Sequence, residues 1–323
     1  MNCLKITGVA VLSSMACTPL FAHAQDYPAR PVRMVVPWPP GGVTDVIARG
    51  LAASLTDSLS QQVVLDNRPG AAGTLGVGIV AKAPADGYTL MMTDVPSHAI
   101  SASLYKSLPY DPRKDVEPIS LPSRSPLVLV VPAKLGVKSI PQLIDLAKTR
   151  AGKLSFASSG PGSITHLTSE RFKRDAKVDL LHVPYKGGAP ATAAMVSGES
   201  DMGFACISAA VPHIKAGRLT LLGVTALKRS PVFPEAPAVA ESLPGFEMGC
   251  NTGLFTTGGV PAHITGRLHG LAMKAVEQAR LKELLAVNSA EAAPFTQAQF
   301  KQYVSNEMRD WGEVVRSAGL KVE

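Results

Sequence analysis

Two short glycine-rich loops carry residue types suited to holding an anion. The first loop, residues 37–45, lies between an apolar run and an amphipathic stretch. A helix N-terminus there would present free N–H groups with partial positive charge, and glycine would let a ligand approach the backbone. This pattern predicts a carboxylate or phosphate site, although the glycines and prolines could instead make only a turn that Thr44 or Asp45 caps. We expect Asp45 to be a cap, because its charge would repel an anion. The candidate ligand-binding residues of this loop are Pro40, Gly41, Gly42 and Thr44.

The second loop, residues 158–166, again follows an apolar run and precedes a helical pattern. It offers hydroxyls, N–H groups and one imidazole, and its glycines could also serve only the turn. Open α/β sheets bind ligands at the carboxyl ends of their strands, where both loops are expected. We therefore expect the two loops to face each other across a cleft and to hold one anion from two sides. The candidates in this loop are Ser158, Ser159, Gly160, Gly162, Ser163 and His166.

Three further residues are weaker candidates for the same cleft. Lys186 and Gly187 follow a predicted strand and could supply a cation and an N–H group, or could form a turn with a solvated lysine. Ser97 follows another predicted strand and could border the cleft.

Motifs of enzymatic chemistry are absent from the chain. It contains no G-x-x-x-x-G-K-[ST], H-E-x-x-H, G-x-S-x-G or C-x-x-C pattern, so no catalytic residue, metal site or cofactor is predicted. The net charge is +7, but the lysines and arginines are scattered and are not interleaved with aromatic residues. A nucleic-acid partner is therefore not expected.

Strands alternate with helices along most of the chain, which predicts an α/β fold with largely parallel sheets covered on both faces. Ser139 and Ser163 are placed to begin helices. The strands are predicted at 32–36, 63–65, 90–93, 127–131, 154–157, 180–183, 202–205 and 221–225. The helices are predicted at 44–59, 75–83, 139–149, from 163 onwards, 190–197 and 209–216.

The order of these elements predicts two domains within the 323 residues. After the second α/β unit the chain becomes helical and begins no further sheet, so we expect its last part to pack back on the first unit. The predicted divisions are residues 25–125 for the first part of domain 1, 126–226 for domain 2, and 227–323 for the return to domain 1. A simple tandem pair of domains is the alternative.

The N-terminus is typical of an export signal. Lys5 precedes a short apolar run, and residues 22–24 form an Ala-His-Ala site, which predicts a signal peptide over residues 1–24 with cleavage after Ala24. An oxidising exterior would permit Cys206 and Cys250 to form a disulfide, but two buried thiols fit the sequence equally well.

Six short motifs occur in an order that resembles the Bug family, the extracytoplasmic solute receptors of tripartite tricarboxylate transporters. They include the Pro-Pro-Gly-Gly of the first loop, Thr-His-Leu in the second, and Val-Pro-Tyr-Lys-Gly-Gly at the sixth predicted strand. The motifs lie at residues 39–45, 67–71, 85–90, 108–112, 165–167 and 183–188, and the resemblance runs from about Tyr27 to the C-terminus.

The resemblance implies a two-domain periplasmic binding protein fold of type II, with the ligand cleft between the domains. It implies a periplasmic, non-enzymatic protein that captures a small carboxylated solute between the two loops and passes it to integral-membrane transporter subunits. It does not name the solute, because members of the family bind citrate, other di- and tricarboxylates, amino acids or aromatic acids. The alternatives are an enzyme acting on a small carboxylate on the same scaffold, and a sensor subunit that contacts a signalling protein.

Overall fold

The computed structural model describes residues 27–229, 233–288 and 290–317, which form two five-stranded sheets with helices on both faces. The predicted signal peptide lies outside the described residues. The described structure confirms the two-domain α/β fold class.

The first sheet contains four strands from the beginning of the chain and one from near its end. Its spatial order is β2-β1-β3-β10-β4. The strands are β1 (Val32–Val36), β2 (Val63–Asn67), β3 (Thr89–Asp94), β4 (Val116–Ser123) and β10 (Thr252–Thr257). The helices that follow these strands along the chain are α1 (Val43–Leu59), α2 (Thr74–Ala81), α3 (Val95–Leu104), α8 (Ala262–Glu277), α9 (Ala279–Val287) and α10 (Gln297–Ser317).

The second sheet is built from the middle of the chain and has the order β7-β6-β8-β5-β9. Its strands are β5 (Leu127–Pro132), β6 (Ser155–Ser158), β7 (Leu181–Pro184), β8 (Met202–Cys206) and β9 (Leu219–Val224). Its helices are α4 (Ile140–Thr149), α5 (Ile164–Ala176), α6 (Gly188–Ser197) and α7 (Ile207–Lys215). Ser139 caps α4 as predicted, and Ser163, where a helix was predicted to begin, caps α5; each side chain accepts a backbone N–H from the first helical turn.

The two sheets share one arrangement of strand directions. In each sheet the fourth strand runs against the others: β10 is antiparallel to β3 and β4, and β5 is antiparallel to β8 and β9. These are the strands that the chain enters after crossing from the other sheet. The prediction of largely parallel sheets is therefore confirmed, with one reversed strand in each among the described residues.

The predicted elements omitted β4, α3 and β10. Pro118 and Pro122 interrupt the pattern of β4, and proline is depleted in strands because it cannot donate a ladder hydrogen bond. β10 corrects the expectation that the C-terminal part contributes helices alone, since it pairs between β3 and β4 inside the first sheet. The boundaries between the domains, at residues 125/126 and 226/227, stay a prediction.

Apolar side chains of both faces hold the sheets in place. β5 and β10 are buried along their whole length, as expected for strands covered on both sides. The largest apolar cluster includes Met34 of the first sheet, Phe156 of the second, and Ile47 of α1. Because Val43 of α1 belongs to the same cluster, the N-terminal end of α1 is held by packing in the core.

Candidate functional site

A cavity of about 60 Å³ lies between the carboxyl ends of strands from both sheets. The loop after β1 and the end of β3 contribute one wall, while the loop after β6 and the end of β8 contribute the other. This is the place where open α/β sheets bind ligands. The lining residues are Trp38, Pro39, Pro40, Gly42, Val43, Thr44, Asp94, Ser97, Ser159, Ile164, Thr165, Gly188, Ala189, Ala191, Thr192, Phe204, Ala205, Cys206, Ala209 and Cys250.

Direct contacts close the cleft around this cavity. The backbone N–H of Ile164, at the start of α5, donates to the Ser97 hydroxyl of α3 over 3.0 Å. Gly162 lies so near Leu104 of α3 that an added Cβ would overlap the leucine side chain. Gly187 is similarly close to Pro39, at 2.8 Å between an added Cβ and the proline Cγ. The two predicted loops therefore meet across one gap.

The first loop leaves backbone donors free at the cavity. Gly42 is the N-cap of α1 and provides no side chain to satisfy the helix N–H groups. The N–H groups of Val43 and Thr44 have no hydrogen-bond partner among the described residues, and both residues line the cavity. The positive end of the α1 dipole is thus directed at the cavity, which suits a ligand anion.

The expectation that Asp45 caps α1 is wrong, because Gly42 occupies the N-cap position. Asp45 instead stabilises the conformation of the first loop. Its carboxylate accepts the Gly41 N–H over 2.9 Å and forms an ion pair with Arg49, also at 2.9 Å. Burial alone would raise the pKa of Asp45, but hydrogen bonds from Arg49, Gly41 and Asn67 outweigh it and lower the pKa. The negative charge of Asp45 is therefore neutralised beside the cavity instead of repelling an anion there.

The second loop uses its backbone donors internally. The Thr165 hydroxyl accepts the Ser159 N–H over 2.8 Å and also bonds the Ser159 hydroxyl at 2.9 Å. The Ser158 hydroxyl accepts from Gly160, and the imidazole of His166 accepts the Gly162 N–H over 3.1 Å. The second loop therefore presents mainly the side chains of Ser159 and Thr165 to the cavity.

Two stacked imidazoles lie beneath the second loop. The rings of His166 and His182 are 4.0 Å apart, and Phe156 stacks against His182 at 4.8 Å. Burial, then the charges of His182 and Lys173, lowers the pKa of His166 to about 3. Burial and Lys173 lower the pKa of His182 to about 4. Both imidazoles are consequently neutral near pH 7, so the His166 ring can accept the loop N–H.

Asp94 is a buried carboxyl at the cavity wall. It ends β3 and caps α3, because its Oδ2 accepts the Ser97 N–H over 3.2 Å. Its Oδ1 is buried and has no hydrogen-bond partner among the described residues. Burial raises the pKa of Asp94 to about 7; hydrogen bonds from Ser97 oppose the shift and the charge of Glu307 adds to it.

The remaining wall is apolar and includes a disulfide. Cys206 at the end of β8 is joined to Cys250, with Cα atoms 6.2 Å apart. The pairing that the sequence left open is therefore present. Phe204 and Ala205 of β8 extend the same wall, so one end of the cavity is polar and the other is apolar.

The structure divides the residues predicted for the site into two groups. The lining includes Pro40, Gly42, Thr44, Ser97 and Ser159. The residues outside the lining are Gly41, Ser158, Gly160, Gly162, Ser163, His166, Lys186 and Gly187. Most of this second group shape or support the loops, whereas Lys186 is exposed. The sequence-based candidates omitted Asp94 and Thr165. For Asp94 a signal was present, because the Asp-x-x-Ser spacing of a helix cap occurs at the start of α3.

A wider groove of about 910 Å³ lies elsewhere, lined partly by Arg124, Arg171 and Lys228. Arg171 donates to the carbonyls of Gly245 and Glu247, so its guanidinium is already engaged. Glu247, Glu291 and Glu307 also line this groove, which leaves no uniform charge for an anion. The smaller cavity is the stronger candidate site.

Metal-binding clusters and membrane-spanning helices are both absent from the described part of the chain. No group of three or more histidine, cysteine, aspartate or glutamate side chains in this part of the chain could hold a metal ion. None of the described helices combines the length and apolar character needed to span a membrane.

Solved structures of periplasmic binding proteins share this fold. The periplasmic binding protein BugD is 31% identical with a TM-score of 0.87, covering 92% of this chain and 100% of its own. An adipate-bound protein of R. palustris is 33% identical with a TM-score of 0.88, covering 92% and 99%. The malate-bound protein MatC of Rhodopseudomonas palustris is 32% identical with a TM-score of 0.84, covering 90% and 100%.

Sequence comparisons identify the family. The model of the tripartite tricarboxylate transporter family receptor, TctC, matches residues 47–320. A protein encoded in the tcbD-tcbE intergenic region of Pseudomonas sp. strain P51 is 38% identical over 90% of this chain and 87% of its own length. BugT of Bordetella pertussis is 35% identical over 99% and 98%. The chain therefore belongs to the TctC family of tripartite tricarboxylate transporter receptors, and the resemblance to Bug proteins is confirmed. It is a solute-binding protein.

Proposed function

We propose that the protein captures a small carboxylated solute in the cavity between its two sheets and delivers it without chemical change. The observation that carries this proposal is the free N-terminus of α1 at the cavity, opposite the hydroxyls of Ser159 and Thr165. Fixed N–H groups and hydroxyls can hold a carboxylate without a metal or cofactor. Closing the cleft then excludes water from the site.

The relatives support a carboxylate ligand. One similar structure contains adipate and another contains malate, and both ligands are carboxylic acids. The polar end of the cavity in this protein has donors suited to one carboxylate group. We therefore assign the carboxylate of the solute to the Gly42–Thr44 side of the cavity.

The proposed partner is an integral-membrane component of a transporter, as the family description indicates. A sensor protein is the alternative partner. We propose a periplasmic location after cleavage behind Ala24, in keeping with the periplasmic relative BugD. Co-purification of the tagged protein with membrane components would distinguish a permease from a signalling protein.

An enzyme on this scaffold is the second candidate function. The Ser158 hydroxyl lies 2.6 Å from His182 Nε2, a pairing used in nucleophilic catalysis. Ser158 is fully buried, however, and it does not line the cavity. Recovery of the bound solute unchanged, in a one-to-one ratio with protein, would support the receptor; release of a product would support an enzyme.

The experiment for carboxylate capture compares Gly42→Asp with Gly42→Asn. Gly42 has a φ of −74°, and an added Cβ would come no closer than 3.7 Å to Pro39 O, so either side chain fits the backbone. The two variants are nearly equal in size but differ in charge. Calorimetry and thermal-shift assays with mono-, di- and tricarboxylates would measure binding to each variant.

We expect Gly42→Asp to weaken carboxylate binding by about 100-fold or more relative to Gly42→Asn, because like charges would meet in a buried site. The melting temperatures of the unliganded variants should be similar. Equal carboxylate affinities in the two variants would exclude the α1 N-terminus as the anion site.

A further inference from the structure

Asp94 is the one acidic or basic side chain among the described residues that line the cavity. No lysine, arginine or histidine belongs to that lining. Neutral donors would hold a solute carboxylate at the α1 N-terminus. Neither these donors nor the carboxylate provides a positive charge to pair with Asp94. The two ends of the cavity therefore differ in what they require from a ligand.

The atoms of Asp94 indicate which group would complete the site. Oδ2 is occupied by the Ser97 N–H, whereas Oδ1 is buried and unpartnered. A buried carboxyl oxygen without a hydrogen bond is costly, and a donor placed next to it removes that cost. A ligand group that reaches Oδ1 of the ionised carboxylate would have to be a donor.

The neighbours of Asp94 in the sheet do not supply such a donor. Thr252 of β10 lies directly opposite Asp94, and Ser123 of β4 lies opposite Thr252. Their hydroxyls are buried and also have no hydrogen-bond partner among the described residues. The nearby charge of Glu307 is negative as well. Thr252 and Ser123 do not line the cavity, so the carboxyl groups of Asp94 and Glu307 determine the preference: they favour a positive or neutral hydrogen-bond donor and disfavour a second anion.

We propose that Asp94 is a specificity-determining residue, which accepts a hydrogen bond from an ammonium or hydroxyl group on a solute that carries a single carboxylate. This inference rests on the proposed capture of a carboxylate in the same cavity. It separates this protein from the relatives seen with adipate and malate, whose ligands each carry two carboxyl groups. Here a second carboxylate would meet Asp94 with no cation in the lining to balance it.

The test uses two matched series of acids with the purified full-length protein. The four-carbon series is butyrate, 4-hydroxybutyrate, 4-aminobutyrate and succinate. The six-carbon series is hexanoate, 6-hydroxyhexanoate, 6-aminohexanoate and adipate. Within each series the chain length is constant and only the distal group changes. Calorimetry at pH 7.5 gives the dissociation constants.

We expect at least one acid with a distal donor to bind about tenfold or more tightly than both the unsubstituted acid and the diacid of its series. The ammonium and hydroxyl arms identify which kind of donor is accepted. A diacid or an unsubstituted acid that binds as tightly as the donor-carrying acids would overturn the inference.

The variant Asp94→Asn provides the second arm. Asparagine keeps an oxygen for the cap of α3 but removes the charge and can place an NH₂ group in the cavity. The preference for the donor-carrying acid over the diacid should fall about tenfold or more. The matched control is Asp115→Asn, since Asp115 also accepts a backbone N–H, from Asp111, but lies outside the cavity lining.

An unchanged preference in a folded Asp94→Asn protein would overturn the role of Asp94 while leaving carboxylate capture intact. If the variant does not fold, the wild-type measurements decide: the ratio of the dissociation constants of the diacid and the donor-carrying acid tests the inference. Failure of all eight acids to bind would instead count against the proposed function, and this inference would fall with it.

Discussion

The two glycine-rich loops occupy equivalent places in their sheets yet use their backbone donors differently. In the first loop the N–H groups of Val43 and Thr44 lie at the cavity and have no hydrogen-bond partner within the described parts of the chain. In the second loop Ser159, Gly160 and Gly162 donate to side chains of the same loop and its helix. Similar composition therefore supports two roles: the first loop can bind an anion through its backbone, whereas the second is a rigid wall that presents hydroxyls.

The largest expected difference between the loops concerns their glycines. Gly162 has a φ of +78° and lies against Leu104, whereas Gly42 has a φ of −74° and open space around its Cβ position. Gly162→Ala should destabilise the protein by about 2–5 kcal/mol through backbone strain and overlap with Leu104. Gly42→Ala should change stability by less than about 1 kcal/mol. Denaturant unfolding of both variants measures the difference, and equal losses would contradict it.

A smaller effect is expected from removing one hydroxyl in each loop. Thr165→Val leaves the Ser159 N–H without its acceptor and should cost roughly 1–3 kcal/mol of unfolding free energy. Thr44→Val removes a hydroxyl with no hydrogen-bond partner among the described residues, so it should leave stability nearly unchanged and weaken carboxylate binding. Thermal unfolding and calorimetry on both variants test this. The division of roles fails if Thr44→Val destabilises the protein as much as Thr165→Val.

The smallest effect concerns the imidazoles beneath the second loop. Because the pKa of His166 is about 3 and that of His182 about 4 in the folded state, the unfolded chain binds more protons between these values and about pH 6.5. Their contribution to stability is therefore complete above pH 6.5 and decreases as the pH falls through this window. His182→Gln should reduce the loss of melting temperature between pH 7.5 and pH 4.5 by a few degrees, about 2–4 °C per kcal/mol removed.

His269→Gln is the matched control for the pH experiment. His269 also forms a hydrogen bond, with Ile119 O at 2.9 Å, but it lies outside the second loop. Any change that it causes in the pH dependence is the background for removing one imidazole elsewhere in the fold, against which the change in His182→Gln is measured. The same pH dependence in His182→Gln and in the wild type would show that the stacked pair does not couple to folding.

Local signals were sufficient for much of the fold. Short-range interactions fix the strand at Val32–Val36, the helix that Ser139 caps and the helix that starts near Ser163, and these predictions are confirmed. β4 and β10 were missed because their pairing, rather than their composition, makes them strands. The prolines of β4 disrupt the sequence pattern typical of a strand. β10 is stabilised by neighbouring strands that are more than 100 residues away in sequence.

The site was predictable only where ligand binding depends on a local loop. The glycine-rich pattern indicated the neighbourhood of Gly42 and Ser159, but it could not distinguish free N–H groups from those used inside the loop. Asp94 lines the cavity because of the position of β3 in the sheet, and Cys250 does so because the chain crosses there between the two sheets. Neither arrangement can be read from the local sequence. The residues at Lys186 and Gly187 remain predictions for the site.

The disulfide has a mechanical consequence for opening the cleft. It joins Cys250 to Cys206 at the end of β8. The segment that leads back to the first sheet is therefore fixed to the second sheet as far as Cys250. The outgoing chain runs beside it, since Cys250 N–H donates to Ser125 O and Pro126 bridges Gly249. Any rotation of one sheet against the other must therefore bend the few residues that follow Cys250 and precede Pro126. We therefore expect the cleft to open by bending at these residues, while the covalently joined wall keeps its shape.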